Sequence, residues 1–367
     1  NTTASNTSSF VQRNLTLDAK PVVYKSDVSG LDIDKYTTTR YKPWMVNYHL
    51  AEPYQIENDY YGGDCGQAPY NIAINPQNPD VLLIGSDMQS IYRTEDGGVT
   101  WKFSAYGVIP VGTQGLAFYP DDGNIAFALM GEGTYLGQKD YRVGQGLYKS
   151  VDGGVNWVNV HPHITGYSSF TRKGGSFAFG PVREDGKRTV FAASYNGGVL
   201  RSDDLGDTWE YVDLKDKGLG FIRAYDNIVI TGANDYGIFI SRDGGKTFEN
   251  PDCFPNRHVL DVIVDPDDKK HWYACVEDMV FESFDEGYTW SFMLDVFELA
   301  GECYPDGTGW NQIRIGWLEF MAPDENGNRT LLAAVKGGRY TIRYSEDRGK
   351  TWHTSTLDRK MAYIESN

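Results

Sequence analysis

The chain has 367 residues, 40% of them hydrophobic and 14% aromatic, with 41 Gly, 25 Tyr and 9 Trp. Its 34 Lys and Arg against 50 Asp and Glu leave a formal net charge of −16, which argues against nucleic acid or an anionic membrane as partner, because both recruit clustered cations. No apolar run approaches the roughly 20 residues needed to cross a bilayer, so membrane insertion is not expected.

In chain order, the first element is a polar arm over residues 1–20, rich in Ser, Thr and Asn and without hydrophobic periodicity. It has too little apolar surface to order by itself. It is expected to lie along its own domain or to reach a neighbouring copy, a route to self-association. Three Asn-x-Ser/Thr glycosylation sequons fall here, at Asn1, Asn6 and Asn14, and a fourth at Asn328. Together with a start at Asn rather than Met, they fit an extracellular glycoprotein whose leader has been removed. Residues 21–24 and 41–48 look extended, as do 361–364 near the other end.

From residue 70 the chain repeats. Paired strand-like runs occur at 70–75 with 81–85, 116–119 with 125–129, 177–179 with 190–193, 222–225 with 228–231, 259–264 with 272–276, and 315–321 with 331–335. After each pair comes a third apolar run and then one motif, Ser/Thr-x-Asp-x-Gly-x-(Thr/Asn)-(Trp/Phe). Its six copies centre on Asp96, Asp152, Asp204, Asp243, Asp285 and Asp347, spaced 39 to 62 residues apart. An Asp side chain accepts nearby backbone N–H groups, and Gly takes the positive φ of a tight turn. The motif is therefore a rigid hairpin corner, and these Asp residues are read as structural. A fourth strand follows each motif, starting at the aromatic residue.

Four-stranded units of this spacing predict an all-β fold, a single β-propeller of antiparallel blades over residues 21–367. Six blades run from about residue 66 to 357. The surplus at both ends predicts a seventh, closed by N- and C-terminal strands so that no edge is left free; a six-bladed ring with a decorated N-terminus is the alternative.

The six motifs resemble the Asp boxes of the Asp-box (BNR-repeat) β-propellers, which include sialidases, the sortilin ectodomain and the xyloglucanases. In such rings the boxes occupy one face and ligands meet the other. The resemblance thus directs the search to the loops between second and third strands and to those entering each first strand. Four carboxylates there are catalytic candidates: Asp87, Glu132, Asp235 and Glu277. Candidate substrate contacts are Tyr60, Tyr61, Asp64, Tyr141, Arg142, Tyr195, Asn196, Tyr236, Arg257, His258, Asp278, Trp310 and Arg339. Aromatic faces stack on sugar rings, while carboxylates, amides and guanidinium groups bond hydroxyls. Asp87, followed by Tyr92-Arg93 and the first box, resembles the place where xyloglucanases carry a catalytic Asp. Gln89 and Ser90 stand where that family has glycines, and its second propeller has no counterpart here.

The resulting expectation is a secreted propeller acting on a polysaccharide or glycan, as a glycoside hydrolase with paired carboxylates. A non-catalytic glycan- or protein-binding propeller is the alternative, and a polysaccharide lyase using Arg with His or Tyr is a further one. The sialidase pattern fits less well, since Val108-Ile109-Pro110 lacks the expected Arg. Cys65, Cys253, Cys275 and Cys303 allow three disulfide pairings and match no metal or redox spacing. One or two disulfides would suit an extracellular location, and Cys275, in a strand run, equally suits a buried thiol. No cofactor is expected, and a structural calcium ion remains open.

Overall fold

The computed structural model describes residues 69–354 except 87–90, 105, 109–111, 132–145, 162–175, 195–196, 216, 234–235, 252–253, 296–313 and 337–340, together with Tyr24 and Lys25. Among the described residues every regular element is a β-strand. They form six antiparallel blades in chain order around a ring. Blade 1 comprises β2 (Pro69–Ile74), β3 (Leu82–Ser86), β4 (Ile91–Thr94) and β5 (Thr100–Phe103). Blade 2 comprises β6 (Thr113–Tyr119), β7 (Asp122–Met130), β8 (Gly146–Ser150) and β9 (Val158–His161). Blade 3 comprises β10 (Phe177–Val182), β11 (Arg188–Ser194), β12 (Gly198–Ser202) and β13 (Glu210–Asp213). Blade 4 has β14 (Leu219–Tyr225), β15 (Ile228–Ala233) and β16 (Gly237–Ser241), and its outermost position is reduced to Glu249, bridged to Ile240. Blade 5 comprises β17 (Val259–Asp265), β18 (Asp268–Val276), β19 (Met279–Ser283) and β20 (Ser291–Asp295). Blade 6 comprises β21 (Arg314–Phe320), β22 (Leu331–Lys336), β23 (Thr341–Ser345) and β24 (His353–Thr354).

Six blades account for every described strand but one. That strand, β1 (Tyr24–Lys25), lies antiparallel on the outer edge of blade 1, with Tyr24 opposite Trp101 and Lys25 opposite Thr100. The segment expected to contribute to a seventh blade is described only at Tyr24, which with Lys25 lengthens the sheet of blade 1 to five strands; residues 21–23 lie outside the described residues. Segments 1–20, 41–48 and 361–364 lie outside the described residues.

Each box is built the same way. In the first, Thr94 Oγ1 accepts the N–H groups of Asp96 and Gly98 at 3.2 and 3.0 Å and donates to Asp96 Oδ1 at 2.7 Å. Asp96 in turn accepts the N–H of Thr100 at 2.7 Å and its hydroxyl, and Trp101 Nε1 donates to the Gly98 carbonyl at 3.0 Å. The capture of the fourth residue's N–H by the carboxylate recurs at Asp152, Asp204, Asp243, Asp285 and Asp347. The residue between Asp and Gly is left-handed in all six boxes. Gly fills it three times, but Leu205, Glu286 and Arg348 hold φ of 62°, 61° and 60° there, which shows how firmly the hydrogen bonds impose the turn.

The turn exists to bring a glycine against the neighbouring blade. A Cβ on Gly206 would stand 2.3 Å from the ring of Phe127, and one on Gly245 the same distance from Phe191. Around such contacts the apolar residues sort into five cores, one at each junction from blades 1–2 to blades 5–6. Phe127, for example, meets Phe177 of the next blade and the edge of Trp209, the box tryptophan there. Cys275 is buried in the core between blades 5 and 6, while Cys65, Cys253 and Cys303 lie outside the described residues. Asn328 is exposed in a turn whose backbone N–H groups are held by Asp324.

Gly206→Ala combines a φ of +82° with this close approach. It should destabilise by roughly 2–4 kcal/mol, the sum of left-handed strain and overpacking, read as a lowered urea midpoint. The box carboxylates also predict an acid response. At Asp204 burial opposes ionisation, but the hydrogen bonds from Thr208 and Ser202 outweigh it and leave a pKa of about 2; at Asp347 the Thr351 hydroxyl leads, again to about 2. Folded values below the ordinary 3.8 mean stability that is complete above about pH 4 and is lost as pH falls towards 2. Thermal melts should hold level from pH 7 to 5 and decline below about pH 4.

Candidate functional site

The boxes close the turns between third and fourth strands, so the opposite face carries the turns between second and third strands. Blades 4 and 5 bring several of the expected residues together there. Arg257 Nη1 lies 3.2 Å from Glu277 Oε2. The Glu277 N–H donates to the His258 carbonyl at 3.1 Å, and the Gly237 N–H to the Arg257 carbonyl at 3.2 Å. Tyr236, next to Gly237, is exposed, with Lys217 Nζ 4.0 Å from its ring centroid and its carbonyl bonded by Asn250 Nδ2 at 2.6 Å. Glu277 holds a φ of +51°, an unfavourable conformation for a residue with a Cβ, and Asp278 completes the same tight turn between β18 and β19.

Exposed Arg257 and Tyr236 and half-buried His258 and Glu277 are thus brought to one region, joined by the Arg257–Glu277 ion pair and by backbone hydrogen bonds. The set can bond hydroxyl groups in both senses and offer an apolar face. Asp87, Glu132, Asp235, Tyr60, Tyr61, Asp64, Tyr141, Arg142, Tyr195, Asn196, Trp310 and Arg339 lie outside the described residues. Among the described residues no group of three or more His, Cys, Asp or Glu is arranged to hold a metal ion.

One set of polar residues was not anticipated, because it sits inside strands that read as core. Arg223 of β14 makes a two-pronged bond to Asp261 of β17, at 3.2 and 2.9 Å, and lies 3.7 Å from Glu319 of β21. The first strands of three successive blades are thereby tied together. Asp261 is almost completely buried, and it also accepts the Val262 N–H at 3.0 Å. Burial works against the charge on Arg223, but Asp261, Tyr225 and Glu319 more than offset it and hold the guanidinium ionised. Burial likewise pushes the Tyr225 hydroxyl up to about 12, so it remains a proton donor. The available signal was the presence of charged residues within the otherwise apolar innermost strands LGFIRAY, VLDVIVD and RIGWLEF.

Geometry and boxes together define a BNR-type β-propeller, and comparison with known proteins extends this. The BNR/Asp-box repeat model matches residues 343–354, which contain the last box. Xyloglucanase Xgh74A of Acetivibrio thermocellus is 24% identical over an aligned length of 339, taking in 74% of this chain and 36% of that one. The chain therefore spans about a third of the length of the curated relative it matches. The crystal structure of a GH74 xyloglucanase from Xanthomonas campestris aligns with a TM-score of 0.59 at 16% identity, over 79% of this chain and 45% of that one. YCF48 from Cyanidioschyzon merolae aligns with a TM-score of 0.52 at 16% identity, over 80% and 86%. A structure of YCF48 bound to D1 peptide aligns with a TM-score of 0.50 at 13% identity, over 80% and 84%. The propeller fold is shared with all three structures, and the sequence likeness is to a xyloglucanase.

Removing one member of a buried ion pair typically costs roughly 3–5 kcal/mol. Asp261→Ala should fall at the lower end, because Glu319 stays near Arg223, while Arg223→Met with Asp261→Leu should recover part of the loss. Urea midpoints of the two variants check both statements.

Proposed function

We propose that this chain is a secreted, carbohydrate-active propeller that hydrolyses a polysaccharide with a pair of carboxylates. The observation that carries the reading is the likeness to a xyloglucanase over 74% of the chain, which takes in strands and loops between the boxes as well as the boxes. The cluster of Tyr236, Arg257, His258 and Glu277 supports it, since its mix of ring face, donors and acceptors suits a sugar.

In this reading Asp87 leads the catalytic pair. Its flanking strands, β3 and β4, end on the face opposite the boxes, in the same between-strand position that Glu277 holds in blade 5. In this reading Glu132 and Asp235, which fall in sequence between the second and third strands of blades 2 and 4, supply the further candidates. One carboxylic acid protonates the leaving oxygen while a second carboxylate attacks the sugar or activates water, and their separation sets the stereochemical outcome. The ring itself is proposed to be completed by a seventh blade from chain on both sides of residues 69–354. Ile72, Ile74 and Leu82, on the side of blade 1 away from blade 2, are only half-buried, whereas Phe127 and Leu129, on the side of blade 2 that meets blade 3, are fully buried.

A second reading, a binding propeller without catalysis, draws on the YCF48 structures, which this chain matches over 84–86% of their length. A panel of neutral and acidic polysaccharides, assayed for reducing-sugar release and for unsaturated uronates, separates the two. Hydrolysis of a β-glucan, reduced about 10²- to 10⁴-fold by Asp87→Ala, is expected. Saturable binding with no turnover of any polysaccharide would instead establish the binding reading.

A further inference from the structure

On the box side of the ring, far from the Arg257–Glu277 cluster, blades 5 and 6 border a recess beside the core they share. It is a cavity of about 740 Å³, within the range of roughly 300–1,000 Å³ typical of small-ligand sites. Its lining differs from that of three other junctions, where a basic side chain straps the preceding blade to the next box: Arg93 Nε bonds the Gly153 carbonyl at 2.8 Å, Lys149 Nζ bonds Asp207 at 2.6 Å, and Arg242 Nη2 bonds the Glu286 carbonyl at 2.9 Å. The residue directly before the box Ser or Thr is Arg93 in blade 1, Lys149 in blade 2, Arg201 in blade 3, where it pairs with Asp203, Ile240 in blade 4 and Glu282 in blade 5. A carboxylate cannot bond a carbonyl, so Glu282 supplies no such strap. The tie at this junction runs the other way, from the box residue Arg348 of blade 6 to Asp265 and Asp267 of blade 5.

The packing beneath changes in the same way. Leu83, Phe127 and Phe191 fill the space beside the box glycine of the following blade. The equivalent residue of blade 5 is Tyr273, paired across the sheet with Glu282; its hydroxyl donates to the Arg348 carbonyl at 3.1 Å and lies 3.2 Å from His271 Nδ1. His271 is buried, with Nε2 3.4 Å from Glu282 Oε2. Its ring stacks on Phe284 at 4.3 Å and 22°, and Phe284 is 60% exposed. A phenyl ring held in place by a buried imidazole, yet open to solvent, is a platform rather than core. Met293 and Trp352 form the opposite side, with Trp352 Nε1 held by the Gly349 carbonyl at 2.9 Å.

The charges around the cavity balance. Arg348 and Lys350 face Glu282 and Asp347, and Asp347 already has its oxygens committed to Thr351 and Ser345. Balanced charge disfavours a phosphate or a uronate. What remains is an aromatic face, one carboxylate acceptor and an ammonium donor, the chemistry that recognises a neutral ring bearing hydroxyls.

We infer that the cavity between blades 5 and 6 is a second glycan-binding site, separate from the opposite face, that takes a short neutral oligosaccharide stacked on Phe284 and bonded by Glu282 and Lys350. For the choice of ligand it rests on the carbohydrate reading above. Its use would be to hold a polysaccharide chain on the propeller and so raise the effective concentration of that chain at the other face.

The Trp352 indole N–H reports on this site alone. In protein labelled with ¹⁵N at tryptophan, with the resonance assigned from Trp352→Phe, titration with cellotetraose should shift the Trp352 signal saturably. Phe284→Ala and Lys350→Ala, both at exposed positions, should each weaken the titration about three- to tenfold. The inference is overturned by no saturable shift, by a shift that neither substitution weakens, or by trigalacturonate acting at lower concentration than cellotetraose. A Trp352 titration without polysaccharide hydrolysis would leave this site standing and remove the hydrolase reading. Hydrolysis without a Trp352 titration would do the reverse.

Discussion

The fold depends on a carboxylate that captures the backbone N–H of the residue four positions further on. Each such bond is charge-assisted and so stronger than an ordinary amide bond, and the neighbouring hydroxyl adds bonds to the same turn. The result is a corner rigid enough to hold Leu205, Glu286 and Arg348 in a left-handed conformation that few residues with a Cβ adopt. That rigidity aims a glycine at the neighbouring blade. Phe127 and Phe191 occupy the space a side chain would have filled, and the cores between blades assemble around such contacts.

From this follows a division of labour between the two faces. The box face is committed to structure, with its carboxylates saturated by their own turns and its basic residues used as straps between blades. Turns on the other face are freed from that duty. There Glu277 takes a strained backbone and pairs with Arg257 in the open, where the pair can exchange partners with a ligand. The Arg223–Asp261–Glu319 set lies between these extremes, fixing three innermost strands relative to one another. The junction of blades 5 and 6 differs in placing Glu282 and the exposed Phe284 on the wall of a cavity.

Much of the ring was legible in the chain because each repeat is local. Asp96 and Thr100 find each other within one turn, so their bond is written in adjacent letters. The runs 259–264 and 272–276 alternate or cluster apolar residues as buried strands must, and they became Val259–Asp265 and Asp268–Val276. Tyr24 was extended as expected, yet its partner was Trp101 in blade 1 rather than a strand near the C-terminus. Edge pairing between distant segments leaves no periodic trace. Arg223 and Asp261 were visible as charges in apolar strands, but their partnership, 38 residues apart, was not. Glu277 and Arg257 were each placed on the correct face by their position relative to the boxes, although nothing in their spacing announced an ion pair.

The sequence by itself determined the all-β repeat, the positions of the corners and the face on which each loop would open. All three follow from hydrogen bonds and hydrophobic alternation within some ten residues. Only the tertiary structure decided which blade takes the strand at Tyr24–Lys25, how charges on successive innermost strands neutralise one another, and where a cavity borders two blades. Those outcomes depend on side chains from different repeats meeting in space, and the identity of a single residue such as Glu282 changes what its neighbour's box can do.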